Sequence, residues 1–528
     1  MTDYLVIGGG TAGCILAARL SEDPGARVTL LEAGPEDRDP WIHIPAGYAR
    51  LFASGRYDWR FATEPEPELG GRSVNWPRGR VLGGSGSING LVYLRGSPHD
   101  YDRWAQAGAR GWSHADVLPA FRRIESWAGP LGETRGADGP VAVTEAGLSE
   151  GGRAFVEACR RLGYPHGHDV NDGAIEGAGP IQMNVRAGLR VSTAKAYLKP
   201  ARTRANLQVL TGTTADRVLI EGGRAVGVAA RRANGSTFEL RAAREVILCT
   251  GAIGSPQLLM LSGIGDGAAL QALGLPVHVH RPSVGQNLQD HLIARAVFRT
   301  RRAGTLNEIM ANPFRTVGMA AQYALRRRGP MAVGAGEACL FARVTPGAEE
   351  AEVQLMYINF SLQPGRGYTL ARYPGAMINF GQCRPDSRGT LTLRSPDPAD
   401  KPVIQANYLS APADQDMMLR AARLARQVAR TAPFGDLIEE EVSPAPGVQT
   451  DEALLQHLRN TATTVYHPCG TCRMGADDGA VVDPRLRVRG VDGLRVADAS
   501  VMPLVPSSNI QPAVMMVGER LIDFVRSD

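Results

Sequence analysis

A chain of 528 residues exceeds a single small domain, and its length fits two to four cores or one large discontinuous architecture. With 44% apolar and 21% charged residues, 62 glycines and 35 prolines, the composition is that of a globular protein and excludes a disordered or fibrous chain. The net charge of +5 is small for the length, and the clusters Arg326-Arg327-Arg328 and Arg301-Arg302 lack interleaved aromatic residues, so they read as solvated helix ends or loops and no nucleic-acid partner is expected.

The chain opens Met1-Thr2-Asp3-Tyr4 and enters an apolar run at once, without a basic segment or small-residue cleavage site, so no cleaved export signal is expected. Residues 4–7 predict a buried strand, 11–20 a helix and 28–31 a second strand. Between the first strand and the helix lies Gly8-Gly9-Gly10-Thr11-Ala12-Gly13, the G-x-G-x-x-G spacing in its strand-to-helix context. Gly8 permits the tight turn, Gly10 lets backbone N–H groups approach a pyrophosphate, and Gly13 allows the helix to pack closely on the strand. Glu32 follows 19 residues after Gly13, where a carboxylate accepts hydrogen bonds from a ribose.

Residues 35–78 are rich in Pro, Trp and Tyr with little periodicity and read as long excursions over a cofactor. Apolar runs over 204–250, broken by Gly222-Gly223 and Asn234-Gly235, predict strands and hairpins. The last of them, 244–251, runs into the small-residue turn Thr250-Gly251. Residues 391–394 and 403–405 read as two further strands, 414–431 as an amphipathic helix, and 493–498 as a third strand-to-turn pass ending at Asp498. The G-x-G-x-x-G fingerprint serves NAD and FAD alike, but three such passes, at the beginning, middle and end, suit one long extended dinucleotide, and no second fingerprint is present to seat NAD. No uninterrupted apolar stretch of about 18 residues occurs, so a membrane-spanning helix is not expected. Seven cysteines, an odd number spread over the whole chain, argue for a reducing compartment. The cytoplasm fits best, with peripheral attachment to the inner membrane left open.

Several segments together resemble the glucose-methanol-choline (GMC) oxidoreductases over almost the whole chain. Residues 79–89 (Gly-Arg-Val-Leu-Gly-Gly-Ser-Gly-Ser-Ile-Asn) are similar to the family's first signature, and 251–265, from Gly251-Ala252-Ile253-Gly254-Ser255 to Ser262-Gly263-Ile264-Gly265, to its second. Asn287-Leu288-Gln289-Asp290-His291 is similar to the stretch leaving the flavin domain, and residues 466–475 (Tyr-His-Pro-Cys-Gly-Thr-Cys-Arg-Met-Gly) to the catalytic segment. The resemblance implies an α/β fold: a Rossmann-type FAD-binding domain from 1–40, 75–100, 200–290 and 485–528, interwoven with a substrate domain of 41–74, 101–199 and 291–484 built on an antiparallel sheet flanked by helices. It implies FAD as cofactor, held without a covalent link, because Ile88 stands where some members tether the flavin through a histidine. To the N-terminal set Gly8, Gly10, Thr11, Ala12, Gly13, Glu32 and Ala33 it adds Arg80, Gly83, Ser85, Asn89, Gly90 and Val92 around the first signature. Val218, Thr250, Gly251 and Ser255 follow from the middle of the chain, and Tyr466, Asp498, Ala499 and Gln511 from its end.

Oxidising an alcohol requires loss of the hydroxyl proton and transfer of a carbon-bound hydrogen as hydride. Both are eased by a base of near-neutral pKa and by a second polar donor for the developing oxyanion. The resemblance assigns the base to His467. Counting back from Met515 along Pro506-Ser507-Ser508-Asn509-Ile510-Gln511 puts Gln511 in the second catalytic position, where the family usually carries Asn or His; Gln offers the same amide N–H on a longer arm. His291 reads as structural. Cys469 and Cys472 have C-x-x-C spacing without a second ligand pair, so packing is expected of them and no metal site. Glu337 reads as a structural carboxylate within reach of the substrate cavity. The expected reaction is FAD-dependent oxidation of an alcohol, primary by preference, to the aldehyde, and the hydrated aldehyde could be carried on to an acid. Electrons would pass to a quinone, another acceptor or O2. An oxygen-using oxidase, or a lyase or photodecarboxylase on the same fold, are the alternatives.

Overall fold

The computed structural model describes residues 2–167, 169–301, 304–363 and 368–528, so Met1 and Arg302 fall outside it. Thr2–Ile7 and Val28–Glu32 lie side by side in parallel, with Val6 opposite Leu30. Their near-continuous Val, Ile and Leu content is what a strand buried on both faces requires. Leu207–Thr211 adds in parallel on the outer side of Val28–Glu32, and Thr237–Leu248 on the other side of Thr2–Ile7. The C-terminal strand Leu494–Val496 pairs in parallel with residues 246–248. Thr237–Leu248 is long enough to serve two structures: its first half closes an antiparallel meander with Arg224–Arg232 and Thr213–Glu221. Five segments distant in sequence therefore converge on one sheet. The helix Thr11–Leu20 covers it, and the C-terminal helix Gln511–Ser527 packs on that helix, with Gly518 against Ala12 and Ile15.

A second, antiparallel sheet runs in the order Ile438–Ser443, Leu292–Thr300, Gly375–Gln382, Val353–Ile358, Ala338–Ala342, Gly177–Pro180, with Thr463–Thr464 paired to Leu292–Thr300. The helix Pro412–Arg430, predicted at 414–431, is amphipathic and buries Met418, Leu424, Ala425 and Val428. Alternation along the strands directs Ile293, Arg295, Met356, Ile358, Met377 and Asn379 into the cavity between the two sheets. The segments expected near 391–394 and 403–405 pair with each other, as Thr390–Thr392 and Val403–Gln405, and not with either large sheet. The aperiodic stretch after residue 35 forms short helices, Pro40–His43 and Gly47–Ser54, that bring Tyr48 and Phe52 over the same cavity. Among the described residues no helix is long and apolar enough to cross a membrane.

Candidate active site

The cavity measures about 710 Å³, within the usual range for cofactor and ligand sites, and its walls are assembled by close backbone contacts. A Cβ on Gly13 would run into the carbonyl oxygen of Gly8, so the helix packs on the turn only because that position has no side chain. A Cβ on Gly84 would stand 2.8 Å from Gly10 Cα, and the Gly83 N–H donates to Gly9 O at 2.7 Å. The two glycine-rich loops thereby form one wall. At the far end the Asp498 carboxylate accepts from the Gly251 N–H at 2.8 Å, Ser255 Oγ at 2.5 Å and the Ser500 N–H at 2.8 Å, which joins the second and third strand-to-turn passes.

Most residues singled out in the sequence face this space. Gly8, Gly10, Thr11, Ala12, Glu32 and Ala33 line its nucleotide end, and Ser85, Asn89, Gly90 and Val92 line the side of the first signature. Thr250, Gly251, Tyr466, His467, Asp498, Ala499 and Gln511 complete it. Glu32 accepts from the Gly9 N–H at 2.8 Å and the Gly34 N–H at 2.7 Å, and burial pushes its carboxyl up to about 7 against those two bonds. A carboxylate has room for two further donors.

Five of the expected residues stand back from the cavity. Gly13 and Gly83 act through the backbone contacts just described, and Ser255 acts through Asp498. Arg80 is exposed, its guanidinium 4.9 Å from the Trp59 ring centre. Val218 is buried in the core and its N–H is taken by Ser262 Oγ at 2.8 Å, because the strand Thr213–Glu221 leads away from the cavity; Thr213, Thr214 and Ala215, at its start, are the residues that line it. Arg190, which sequence reasoning passed over, is fully buried and donates to Ile42 O, Gly86 O, Asn89 O and Asn89 Oδ1. No carboxylate pairs with it among the described residues, and burial alone lowers its pKa to about 9, so it holds the first signature loop in shape and keeps a positive charge beneath it.

The candidate base is held by partners from the antiparallel sheet. Tyr466 adopts φ 72°, a left-handed conformation that costs a non-glycine residue energy and turns the chain so that His467 points inward. The His467 N–H donates to Asp290 Oδ1 at 2.7 Å, while Asp290 Oδ2 accepts from Thr464 Oγ1 at 2.5 Å and from the Tyr408 hydroxyl. His467 Nδ1 is 2.9 Å from His291 Nδ1, and His291 Nε2 is 2.8 Å from the carbonyl oxygen of Cys383. The protons follow from these contacts. A carbonyl only accepts, so His291 Nε2 carries its hydrogen; the bare His291 Nδ1 then accepts from His467 Nδ1, which leaves the Nε2 lone pair of neutral His467 free to accept. Asn509 Nδ2 meets that lone pair at 3.1 Å. Burial, then the neighbouring His291 and Arg78, hold His467 well below the usual histidine range, and burial takes His291 down to about 4, so both rings are neutral at pH 7.

Asn509, not Gln511, is therefore the side chain that meets His467. Gln511 is the first residue of the C-terminal helix and turns back toward the first signature, where its Oε1 accepts from Asn89 Nδ2 at 2.5 Å. Counting back from Met515 points to 511 alone, but 511 is already the first residue of the helix, and 509, in the loop before it, is what faces the imidazole. His291, read from the sequence as structural, is a direct contact of His467, and its signal was its place beside Asp290 in the family-like stretch. Glu337 lines the wall, but its Oε2 accepts from the Ser149 N–H at 2.9 Å, at the start of the helix Glu150–Arg161, so its role is structural. Cys469 and Cys472 are buried free thiols.

Residues 2–293 and 385–518 match the sequence patterns of the GMC oxidoreductase family. The chain belongs to that family. It is 43% identical over 538 residues, covering 100% of this chain and 99% of the relative, to an uncharacterised GMC-type oxidoreductase of Mycobacterium bovis. It is 42% identical over 527 residues, covering 99% and 95%, to an oxygen-dependent choline dehydrogenase of Rhizobium etli. The solved structure of pyridoxine 4-oxidase from Mesorbium loti superposes with a TM-score of 0.91 at 33% identity and covers 100% of both chains. As a GMC oxidoreductase the protein is an FAD flavoenzyme of the alcohol dehydrogenase and oxidase type. Its cavity fits such a group. Arg78 Nε and Nη2, Asn509 Oδ1 and Gln511 Nε2 are all buried, belong to residues that line the space, and have no hydrogen-bond partner among the described residues. Buried polar atoms of this kind call for one from outside it.

Proposed function

We propose that the enzyme oxidises an alcohol, primary by preference, to the aldehyde, with His467 taking the hydroxyl proton. FAD, when bound, supplies the hydride acceptor at its N5. The turn from Gly8 to Ala12 and the start of the following helix would hold the pyrophosphate, Glu32 the ribose, and the loop from Gly84 to Asn89 with Gln511 the ring system. Ile88 lines that loop with an alkyl side chain that offers no nucleophile, which supports a noncovalent cofactor.

The observation that carries the reading is the bare Nε2 of neutral His467, fixed by the relay through His291 to the Cys383 carbonyl. A substrate hydroxyl would take the place of the Asn509 N–H at that lone pair. Asn509 Nδ2, 3.1 Å from the same atom, would then face the alcohol oxygen and stabilise the alkoxide as the proton leaves. Asp290 fixes the backbone of His467 and does not itself reach the reacting atoms. All seven cysteines are free thiols, which supports a reducing compartment.

The test is anaerobic bleaching of the flavin by a panel of alcohols. At least one should reduce the wild-type flavin, and His467→Ala should not be reduced by the same alcohol on the same timescale. If no alcohol bleaches the flavin while illumination releases carbon dioxide from an acid, the reading is wrong. Peroxide release in air, compared with dye or quinone reduction under nitrogen, identifies the electron acceptor.

A further inference from the structure

Resting on that reading, we propose that the alcohol substrate carries a carboxylate at the end remote from its hydroxyl, and that Arg295 is the residue that selects it. Arg295 lies on the strand Leu292–Thr300, on the same face as His291 and Ile293, and lines the cavity. Its guanidinium makes no ion pair and no side-chain hydrogen bond among the described residues. The ionisable groups that feel its charge are phenols, Tyr48 and Tyr466, which burial keeps protonated and neutral.

The acids that line the same cavity are already committed. Glu32 is held by two backbone N–H groups at the nucleotide end, and Asp498 binds Gly251, Ser255 and Ser500. Glu337 turns to Ser149, and burial raises its carboxyl toward the neutral form. The other lining cations differ from Arg295 in their surroundings: Arg50 stacks over Trp41 at 4.5 Å, and Arg78 feels the carboxylates of Asp290 and Asp58. Among the described residues Arg50 and Arg295 are the lining cations without a carboxylate partner, and of the two Arg50 is exposed and stacked on Trp41, whereas Arg295 is half-buried with its guanidinium left open. A planar fork of N–H donors left open in a cavity matches a carboxylate, two bonds at a time. Asn379, directly opposite Arg295 across the sheet, also lines the cavity, and its buried Oδ1 has no hydrogen-bond partner among the described residues.

The remaining walls define the body of the substrate. Phe52 packs against Tyr48, Tyr368 and Tyr466 with ring centres 6.0, 5.9 and 5.5 Å away, and the hydroxyls of Tyr368 and Tyr466 bond at 2.6 Å. Such an aromatic box could by itself receive a quaternary ammonium. The unpaired guanidinium beside it opposes one and favours an arene or alkyl spacer that ends in an anion. Tyr48 and Tyr466 of the aromatic box feel the charge of Arg295 and His467 does not, so the guanidinium and the imidazole face different ends of the substrate.

The experiment uses the holoenzyme with 4-(hydroxymethyl)benzoate, benzyl alcohol and choline as reductants under nitrogen, and 4-methylbenzoate as a ligand that cannot be oxidised. The carboxylate-bearing alcohol should show a KM about tenfold or more below that of benzyl alcohol, and choline should be the poorest of the three. Arg295→Gln should raise the ratio of the two aryl KM values by a similar factor, Arg295→Lys should restore part of it, and 4-methylbenzoate should perturb the flavin spectrum of the wild type far more tightly than that of Arg295→Gln. A preference for choline, or a KM ratio that does not respond to Arg295→Gln in a variant that retains its flavin spectrum, would overturn the proposal. If benzyl alcohol bleaches the flavin through His467 and the carboxylate brings no advantage, Arg295 is misassigned and alcohol oxidation stands. If no alcohol bleaches it while 4-methylbenzoate binds through Arg295, the anion site stands and the oxidation reading fails.

Discussion

His467, His291, Asn509 and Gln511 make separable predictions. If His467 is the base we propose, His467→Ala should slow flavin reduction by an alcohol by about 10²- to 10⁴-fold, as stopped-flow bleaching would measure. His291→Phe leaves the base in place but removes the acceptor of its Nδ1 hydrogen and one of the influences that depress its pKa. Its signature should be a lower rate together with an acid limb of the pH profile moved upward from the wild-type position, which lies below the ordinary histidine value. A residue of purely structural importance would lower the amount of active enzyme and leave that limb where it was. Asn509→Ala should slow the reductive step, whereas Gln511→Ala should weaken flavin retention more than it slows reduction; the reverse pattern would return the second catalytic role to Gln511.

Among the elements, the glycine-rich loops carry the strictest constraint, because they meet backbone to backbone. Gly84 has φ 56° and comes so close to Gly10 that a branched side chain must part the two loops. Gly84→Val should therefore purify with little bound flavin, seen as a fallen ratio of visible to 280 nm absorbance. The C-terminal helix is anchored to the opposite side of the nucleotide unit. Its buried Glu519 accepts from Arg19 Nε at 3.0 Å and from the Tyr197 hydroxyl at 2.9 Å, with Arg123 3.6 Å away. Glu519→Ala leaves Arg19 with Glu22 and Arg123 with Asp523 but takes the acceptor from the buried Tyr197 hydroxyl, and should cost about 1–3 kcal/mol, read as a lowered urea midpoint of the holoenzyme.

Considered as a whole, the molecule buries neutral imidazoles between its two sheets, and that makes its stability depend on pH. His291 titrates near 4 in the folded protein and near 6.5 when unfolded, and His467 is also held well below 6.5. Below about 6.5 the unfolded chain takes up protons that the folded protein refuses, so this contribution is complete above that pH and is lost as the pH falls toward 4. Urea midpoints measured from pH 7.5 down to 5 should decline, and His291→Phe should decline less steeply than the wild type. A flat profile in the wild type would mean that the rings are not buried as a neutral pair.

Local pattern was enough for much of this. The glycine spacing between an apolar strand and a helix, the acid 19 residues on, and the two signatures made the nucleotide wall legible before any coordinates, because phosphate binding there depends on backbone conformation, and backbone conformation is written in glycine positions. The partners of His467 were less legible. His291 reaches it across 176 residues of sequence, and the choice between Asn509 and Gln511 turns on how one helix enters the core. Val218 misled because a strand can begin at a cavity and leave it within two turns of its pleat. Arg295 was one arginine among many until two sheets closed around it. The sequence by itself determined the fold and the chemistry of the cofactor end, where neighbours in the chain are neighbours in space; only the tertiary structure decided the tautomer of His467 and the open charge of Arg295, because both depend on side chains that are far apart in the chain.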